Sequence, residues 1–166
     1  MTKRRHRLMR RSDREVTDKD EIIGIMKKCD VCRLALNGDD GYPYILPLNF
    51  GLLETDGWPA LYFHGATEGR KYGLMERDSR ACFEMDCCHR LVSDAENSKC
   101  TMEYESVIGI GHIEPVDEKD KLHALELLNG HYHRNGFPVN RSALDITRVF
   151  RLVIESASGK RRKVHS

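Results

Sequence analysis

Tyr62-Phe63-His64-Gly65-Ala66-Thr67-Glu68-Gly69-Arg70-Lys71 joins an apolar run, typical of a β-strand, to the start of a predicted helix. The first N–H groups of a helix are unpaired, and its dipole places partial positive charge there. Two glycines let a ligand approach the backbone, and the two cations Arg70 and Lys71 neutralise negative charge. This junction suits a phosphate, although an ordinary strand-to-helix turn with surface cations accounts for the same residues. The spacing matches neither the nucleotide P-loop nor the dinucleotide-binding fingerprint.

Alternating apolar residues on either side of this junction predict a mainly antiparallel sheet with short connections. The predicted strands are 31–37, 42–50, 59–64, 79–85, 103–114 and 148–156. Helical spacing predicts a short helix after Asp18, capped by that residue or by Thr17, and longer helices at 68–77 and 117–130. Residues 86–101 lack an apolar period and are predicted to be a mobile loop. The pattern indicates an α+β, mainly β domain around a barrel-like sheet.

Residues 42–50, Tyr-Pro-Tyr-Ile-Leu-Pro-Leu-Asn-Phe, contain two prolines in one predicted strand. Because proline cannot donate a ladder hydrogen bond, this strand is expected at a sheet edge or a barrel rim. Free backbone groups there, together with the amide of Asn49, could bind a flat heterocycle. An edge strand whose prolines prevent aggregation is an equally good interpretation.

Residues 104–112 form a third candidate, a strand that contains Gly109 and Gly111. Glycines weaken a strand unless something packs close to its backbone. The hydroxyl of Ser106 could hydrogen-bond a ligand, and a tightly coiled barrel strand without a ligand explains the same glycines.

The composition limits the classes of function. The 166 residues fit one domain, and 27 Lys+Arg against 26 Asp+Glu leave a net charge of +1. This balance disfavours a protein whose whole surface binds nucleic acid, although cations crowd 3–14 and 160–163. No apolar run has the length of a membrane span, and no apolar signal segment follows the basic N-terminus. We therefore expect a cytoplasmic protein that makes no membrane contact.

Cysteines and histidines suggest a metal site, but their spacing does not support one. Cys29 and Cys32 have zinc-ligand spacing, yet the strand-like alternation after them predicts that they point to opposite faces. The block 87–89, Cys-Cys-His, lacks a second motif, and His123 and His131 lie about two helical turns apart. We predict free thiols, solvated helix-end imidazoles and no metal site. His64 differs, because at the junction it could move protons beside a reactive ring or be structural.

These motifs in this order resemble the FMN-binding split-barrel family related to pyridoxamine phosphate oxidase, and within it the nitroimidazole-resistance type of flavoprotein. The resemblance covers nearly the whole chain from Met9. Matching stretches are 9–11, 13–16, 32–36, 44–50, 62–71, 104–107 and 159–160. The block 87–90 departs from the family.

The resemblance implies a six-stranded antiparallel split β-barrel with flanking helices, forming a homodimer with FMN in two clefts between subunits. Taken with the basic runs near both ends, it divides the chain into a basic N-terminal arm at 1–14, the FMN-binding domain at 15–158 and a basic tail at 159–166. The implied cofactor-binding residues are Pro47, Leu48 and Asn49 at the flavin ring, Gly65, Ala66, Thr67, Arg70 and Lys71 at the phosphate, Ser106 and Val107, and His64 beside the flavin. His64 is also the implied catalytic residue.

The activity implied is that of an FMN-dependent oxidoreductase. It would draw electrons from NAD(P)H and reduce a small aromatic acceptor, nitroimidazoles among the candidates, in the manner of a flavin reductase. Two alternatives stay open: a non-catalytic flavin- or haem-binding carrier or sensor, and a nucleic-acid-associated protein that uses its basic arms.

Overall fold

A computed structural model describes residues 10–133 and 136–164. The strands are β1 Glu15–Val16, β2 Cys32–Asn37, β3 Pro43–Leu48, β4 Gly51–Leu53, β5 Ala60–Ala66, β6 Arg80–Asp94, β7 Lys99–Pro115 and β8 Thr147–Arg162. The α-helices are α1 Lys19–Met26, α2 Arg70–Arg77 and α3 Lys121–Tyr132. Short 3-10 turns lie at Ser12–Arg14, Glu118–Asp120 and Arg141–Ala143. None of the helices in these two ranges is long and apolar enough to cross a membrane.

The strands form one antiparallel sheet in the order β3-β2-β6-β7-β8-β5-β4, and β1 pairs with the far end of β8. The two edge strands, β3 and β4, are joined only by Asn49 and Phe50. Because so short a link keeps the opposite edges close together, the sheet must curl into an open barrel. The predicted α+β, mainly β class is therefore confirmed, with eight strands instead of six. The additional strands β1 and β4 are too short to give a recognisable alternation.

The predicted mobile loop at 86–101 is wrong. Strands β6 and β7 continue through it as a hairpin, paired from Arg90↔Glu103 to Asp94↔Lys99, and only residues 95–98 form the turn. Both faces of this hairpin are largely solvated, so its sequence has no apolar period. Backbone pairing therefore extends the strands where side-chain pattern gives no signal.

The terminal boundaries also differ from those expected. Residues 159–162 are not a tail, because they end β8 and pair with 104–107 of β7. Glu15 and Val16 pair with Lys160 and Gly159, which ties the start of the domain to the same strand. Residues 1–9 of the expected basic arm lie outside the described residues.

The main core fills the inside of the barrel. Its largest fully buried side chains include Phe50, Phe63 and Phe83. A Cβ on Gly109 would stand 2.3 Å from the ring of Phe83, so the glycine leaves room for that ring. This close packing explains the strand glycine that the sequence left open. Gly111 has a similar role, because a Cβ there would stand 2.1 Å from a neighbouring carbonyl oxygen.

Helix α1 begins as predicted at Asp18, whose carboxylate accepts a hydrogen bond from the backbone N–H of Glu21 at 2.9 Å. The Thr17 alternative is not used. The helix ends at Met26, and Cys29 lies between it and β2, so strand alternation does not apply to this cysteine. Cys29 and Cys32 are both buried, and the prediction that they point to opposite faces is wrong.

Helix α3 packs on β4 and β5. A Cβ on Gly51 would meet the helix backbone at 2.6 Å, which shows how closely α3 packs on β4. The hydroxyl of Tyr132 accepts a hydrogen bond from the N–H of Phe50 and donates one to the carbonyl of Asp30. The ring of His131 packs on Phe50 with centroids 4.3 Å apart. This imidazole is therefore structural, and the prediction that it is solvated is wrong.

Candidate functional site

The ammonium of Lys71 lies directly over the backbone of the β5–α2 junction. Its nitrogen is 3.0 Å from the position that a Cβ on Gly65 would occupy and 3.5 Å from the corresponding point on Gly69. It also lies 4.4 Å from the centroid of the Tyr72 ring. Within the described ranges no carboxylate pairs with this ammonium. Any side chain at position 65 would displace the cation, so glycine and lysine here form one unit, which we call the Lys71 cradle.

The start of α2 leaves its first N–H groups without a side-chain cap. Gly69 is the N-cap and adopts φ 146°, ψ 154°, a conformation that residues with a Cβ rarely reach. Since no side chain caps the helix, its positive end faces the Lys71 cradle with free donors. The hydroxyl of Tyr72 donates to the carbonyl of Ala66 at 2.6 Å and fixes the turn from below. The chain therefore places fixed positive charge and unsatisfied donors together, as an anion site requires.

A second cation, Arg148, belongs to the same cluster and was missed from the sequence. It lies on β8 directly opposite Gly65, and its guanidinium sits 4.2 Å from the centroid of the Tyr72 ring. Glu76 accepts a hydrogen bond from it at 3.1 Å. Residues opposite one another in an antiparallel pair share a face, so Arg148 and the cradle face the same way. Only the pairing of β5 with β8 reveals this, because the two positions are 83 residues apart in the chain.

Arg70 is engaged elsewhere. Its guanidinium pairs with Asp39 and with Asp40 in the turn between β2 and β3, and it also lies 5.0 Å from the ring centroid of Tyr44. These carboxylates hold Arg70 away from the free helix start and take up its charge. The contact instead ties the β5–α2 junction to the beginning of β3.

His64 is adjacent to the Lys71 cradle in sequence but lies on the other face of β5. Strand alternation puts Gly65 on the face of Phe63 and the barrel core, whereas His64 shares the opposite face with Tyr62. The imidazole is solvent-accessible at the strand end, yet partial burial lowers its pKa below the ordinary 6.5. It is therefore neutral at pH 7. The chain alone does not bring its ring into the cradle.

The proline-containing segment forms the predicted edge strand, β3. Leu48 points inward and packs on the core, whereas Pro47 points outward and is exposed. Asn49 is exposed at the corner beyond the strand, where its amide donates to the carbonyl of Asp30 at 3.4 Å. Since Tyr44 touches the Arg70 side chain, β3 runs from the β5–α2 junction to Asn49, about 16 Å further along.

Ser106 and Val107 lie far from the cradle within one chain. Ser106 pairs with Lys160 near the end of β8, whereas the junction pairs with the start of that strand at Thr147. That separation is about 40 Å along the strand. Val107 is fully buried, so its side chain belongs to the core. Ser106 points outward, on the face that also presents Pro47.

That face, formed by β3, β2, β6 and β7, carries an apolar row beside the ion pair of Arg33 with Glu84, and we call it the outer face. Register places Ile45, Ala35, Cys82 and Ile110 side by side across the four strands. Ile45 is 61% exposed and Ile108, in the next row, is 52% exposed. Ile45 and Ile110 flank the smaller Ala35 and Cys82 in this row, and neighbouring accessible apolar side chains of this kind are typical of a protein-binding surface.

The family model described as pyridoxamine 5'-phosphate oxidase matches residues 18–161, nearly the entire domain. This chain belongs to that family. None of the curated proteins matches it in sequence. The expected relationship to pyridoxamine phosphate oxidase is thus confirmed, and its split-barrel fold agrees with the eight-stranded sheet described above.

Solved structures of several proteins share the fold. A candidate 5-nitroimidazole antibiotic resistance protein from Bacteroides thetaiotaomicron is 29% identical over 88% of this chain and 85% of its own, with a TM-score of 0.75. A FAD-binding protein from Mesorhizobium loti is 25% identical over 90% and 98% of the two chains, with a TM-score of 0.61. The flavocytochrome Anf3 from Azotobacter vinelandii, 22% identical over 96% and 74%, has a TM-score of 0.73 and shows likeness of fold alone.

Proposed function

We propose that this member of the pyridoxamine 5'-phosphate oxidase family is an FMN-dependent oxidoreductase that holds the flavin phosphate in the Lys71 cradle. The observation behind this proposal is the Lys71 ammonium, which pairs with no carboxylate among the described residues and lies above two glycines at an uncapped helix start. A phosphate monoester is the part of FMN that such a site recognises.

The residues present fit FMN at its phosphate end. The lack of a Cβ on Gly65 leaves room for the Lys71 ammonium and the Tyr72 hydroxyl, which lie 3.0 Å and 3.1 Å from the position that a Cβ would take. Arg148 supplies a second positive charge on the same side. In this proposal Thr67 and the N–H groups that follow Ala66 complete the shell around the phosphate. Arg70 organises the turn at Asp39 and Asp40 and is not a phosphate ligand.

The edge strand β3 supplies the surface for the flavin ring. It starts at Tyr44 beside the β5–α2 junction and leads to Pro47, Leu48 and the exposed amide of Asn49. An edge strand keeps backbone N–H and C=O groups unpaired on one side, which can hydrogen-bond a heterocycle. The prolines keep that edge from pairing with another strand.

We further propose a homodimer that joins two copies through the outer face. In that assembly Ser106, which lies far from the Lys71 cradle of its own chain, could approach the cofactor of the partner subunit. The exposed isoleucines of the outer face support this arrangement, since burying them stabilises a dimer by about 25 cal/mol per Å² of apolar surface. A closed interface would also exclude water from the flavin ring.

The chemistry follows from the cofactor and from His64. FMN held here would supply two-electron and one-electron redox chemistry between a nicotinamide donor and an aromatic acceptor. The chain binds and orients the cofactor, and His64, neutral at pH 7, has one unprotonated ring nitrogen that accepts a proton at the open end of β5. NAD(P)H is the proposed donor and a small aromatic compound, such as a nitroimidazole, the proposed acceptor.

The test uses the purified full chain. Apoprotein titrated with FMN should quench the flavin fluorescence at one FMN per chain, and the complex should oxidise NADH or NADPH faster when a nitroaromatic acceptor is added. A chain that binds FMN without any acceptor-dependent oxidation would be a carrier or sensor instead. A chain that takes up no FMN would contradict the proposal.

A further inference from the structure

Three potential metal ligands meet at the hairpin of β6 and β7, apart from the Lys71 cradle. The Sγ atoms of Cys87 and Cys88 and a carboxylate oxygen of Glu105 all lie within 4.8 Å of one another. Cys88 Sγ is 3.7 Å from Glu105 Oε2. Neither cysteine forms a disulfide. Thiolates with one carboxylate form a ligand set that suits a thiophilic divalent cation such as Zn²⁺.

A backbone irregularity creates this cluster. Adjacent residues in a regular strand point to opposite faces, so Cys87 and Cys88 should be separated. The β6–β7 register shifts between Cys87 and Arg90, and Cys88 adopts φ 58°, a left-handed conformation unusual for a residue with a side chain. Bulges of this kind re-aim side chains. Here the bulge brings both thiols to the side of Glu105, the partner of Cys87 in the ladder.

Two cationic side chains already pair with the Glu105 carboxylate. Its side chain is only 4% exposed, and its two oxygens are shared between Arg161, which donates to Oε1 at 2.7 Å, and Lys28, which pairs with Oε2. The Lys28 ammonium and the Cys88 thiol therefore converge on the same oxygen. Lys28 is 44% exposed and can withdraw into solvent, whereas Arg161 stays on the other oxygen.

We propose that Cys87, Cys88 and Glu105 bind one Zn²⁺ per chain, replacing the ammonium of Lys28. Two S–H bonds break, two Zn–S bonds and one Zn–O bond form, and two protons pass to solvent. Two thiolates and one carboxylate carry a charge of −3, which Zn²⁺ and the remaining Arg161 neutralise. A singly charged soft cation would leave net negative charge beside the buried Glu105 carboxylate, so the divalent ion is favoured. Water completes the fourth position.

The experiment is a titration of reduced, chelator-treated full chain with Zn²⁺ in competition with a chromophoric chelator. We expect one tight site per chain, which Cys88→Ser weakens roughly 100-fold because one of three protein ligands is lost. Cys100→Ser is the matched control, because the Cys100 thiol is also exposed on the hairpin but lies far from the cluster. The Zn²⁺ affinity of this variant should equal that of the parent chain. Thermal unfolding checks that both variants fold.

A second variant separates ligation from a structural role. Lys28→Met removes the competing ammonium, so Zn²⁺ should bind about tenfold more tightly, the worth of one hydrogen bond to a charged group. With Co²⁺ as the probe, the parent chain should show a thiolate-to-cobalt charge-transfer band that Cys88→Ser reduces. Equal Zn²⁺ affinity in the parent chain and Cys88→Ser, or weaker binding in Lys28→Met, would overturn the proposal. None of these readouts depends on FMN.

Discussion

The Lys71 ammonium nitrogen stands 3.0 Å from the point that a Cβ on Gly65 would occupy. Position 65 is therefore a test of where the anion binds. In Gly65→Ala the methyl group should displace the Lys71 ammonium. We expect the affinity for FMN to fall about tenfold, which corresponds to roughly 1.4 kcal/mol of binding free energy. Fluorescence titration measures this. Gly73→Ala on α2, where a Cβ meets nothing within 4 Å, is the control and should leave FMN affinity unchanged.

The outer face should govern the oligomeric state. Ile108→Asp places a second carboxylate opposite Glu84 on that face, and burying it unpaired in a dimer would be strongly unfavourable. We expect the variant to sediment as a monomer where the parent chain sediments as a dimer. Leu91→Asp changes a side chain that is similarly exposed, at 62%, on the hairpin, and it should keep the parent mass. A dimeric Ile108→Asp would show that the interface lies elsewhere.

Gly109 should be required for packing in the core. A methyl group there would overlap the buried Phe83 ring, and overpacking of this kind costs about 1–3 kcal/mol of the free energy of unfolding. Gly24→Ala, in α1 with open space around it, should instead stabilise the chain by about 0.5–1 kcal/mol. Urea unfolding of the two variants compares them directly. If Gly109→Ala were as stable as the parent chain, β7 would have shifted to admit the methyl group.

His64 should titrate below the ordinary histidine range. Burial lowers its folded-state pKa below 6.5, so the unfolded chain binds more protons at this position once the pH falls to about 6.5. The His64 contribution to stability therefore decreases as the pH drops from about 6.5 through the folded pKa. NMR titration of the imidazole protons, assigned with His64→Gln, measures that pKa. A value at or above 6.5 would contradict the partial burial of the ring.

Sequence alone predicted the longer strands wherever one face is buried, but not the short strands β1 and β4. The strand of Phe83 and the edge strand of Pro47 both follow from side-chain pattern, and the Asp18 cap from local hydrogen bonding. The hairpin at 86–101 could not be predicted, because backbone pairing with little side-chain burial leaves no period. The left-handed backbone conformation of Cys88 could not be predicted either, because cysteine has no preference for positive φ.

The candidate site was predictable in part for a related reason. Gly65 and Lys71 are close in sequence, so a local motif identifies them. Arg148 reaches the same cluster through strand pairing, and Arg70 leaves it through its ion pairs with the turn at 39–40. Long-range contacts of this kind carry no signature in a single sequence.

The comparison of FMN with riboflavin tests the central claim most directly, because the two ligands differ only in the phosphate. The account predicts that the parent chain binds FMN more tightly than riboflavin, and that Lys71→Met weakens FMN by about 1.5–3 kcal/mol while leaving riboflavin affinity unchanged. If Lys71→Met weakened both ligands equally, or neither, the phosphate would not lie in the Lys71 cradle.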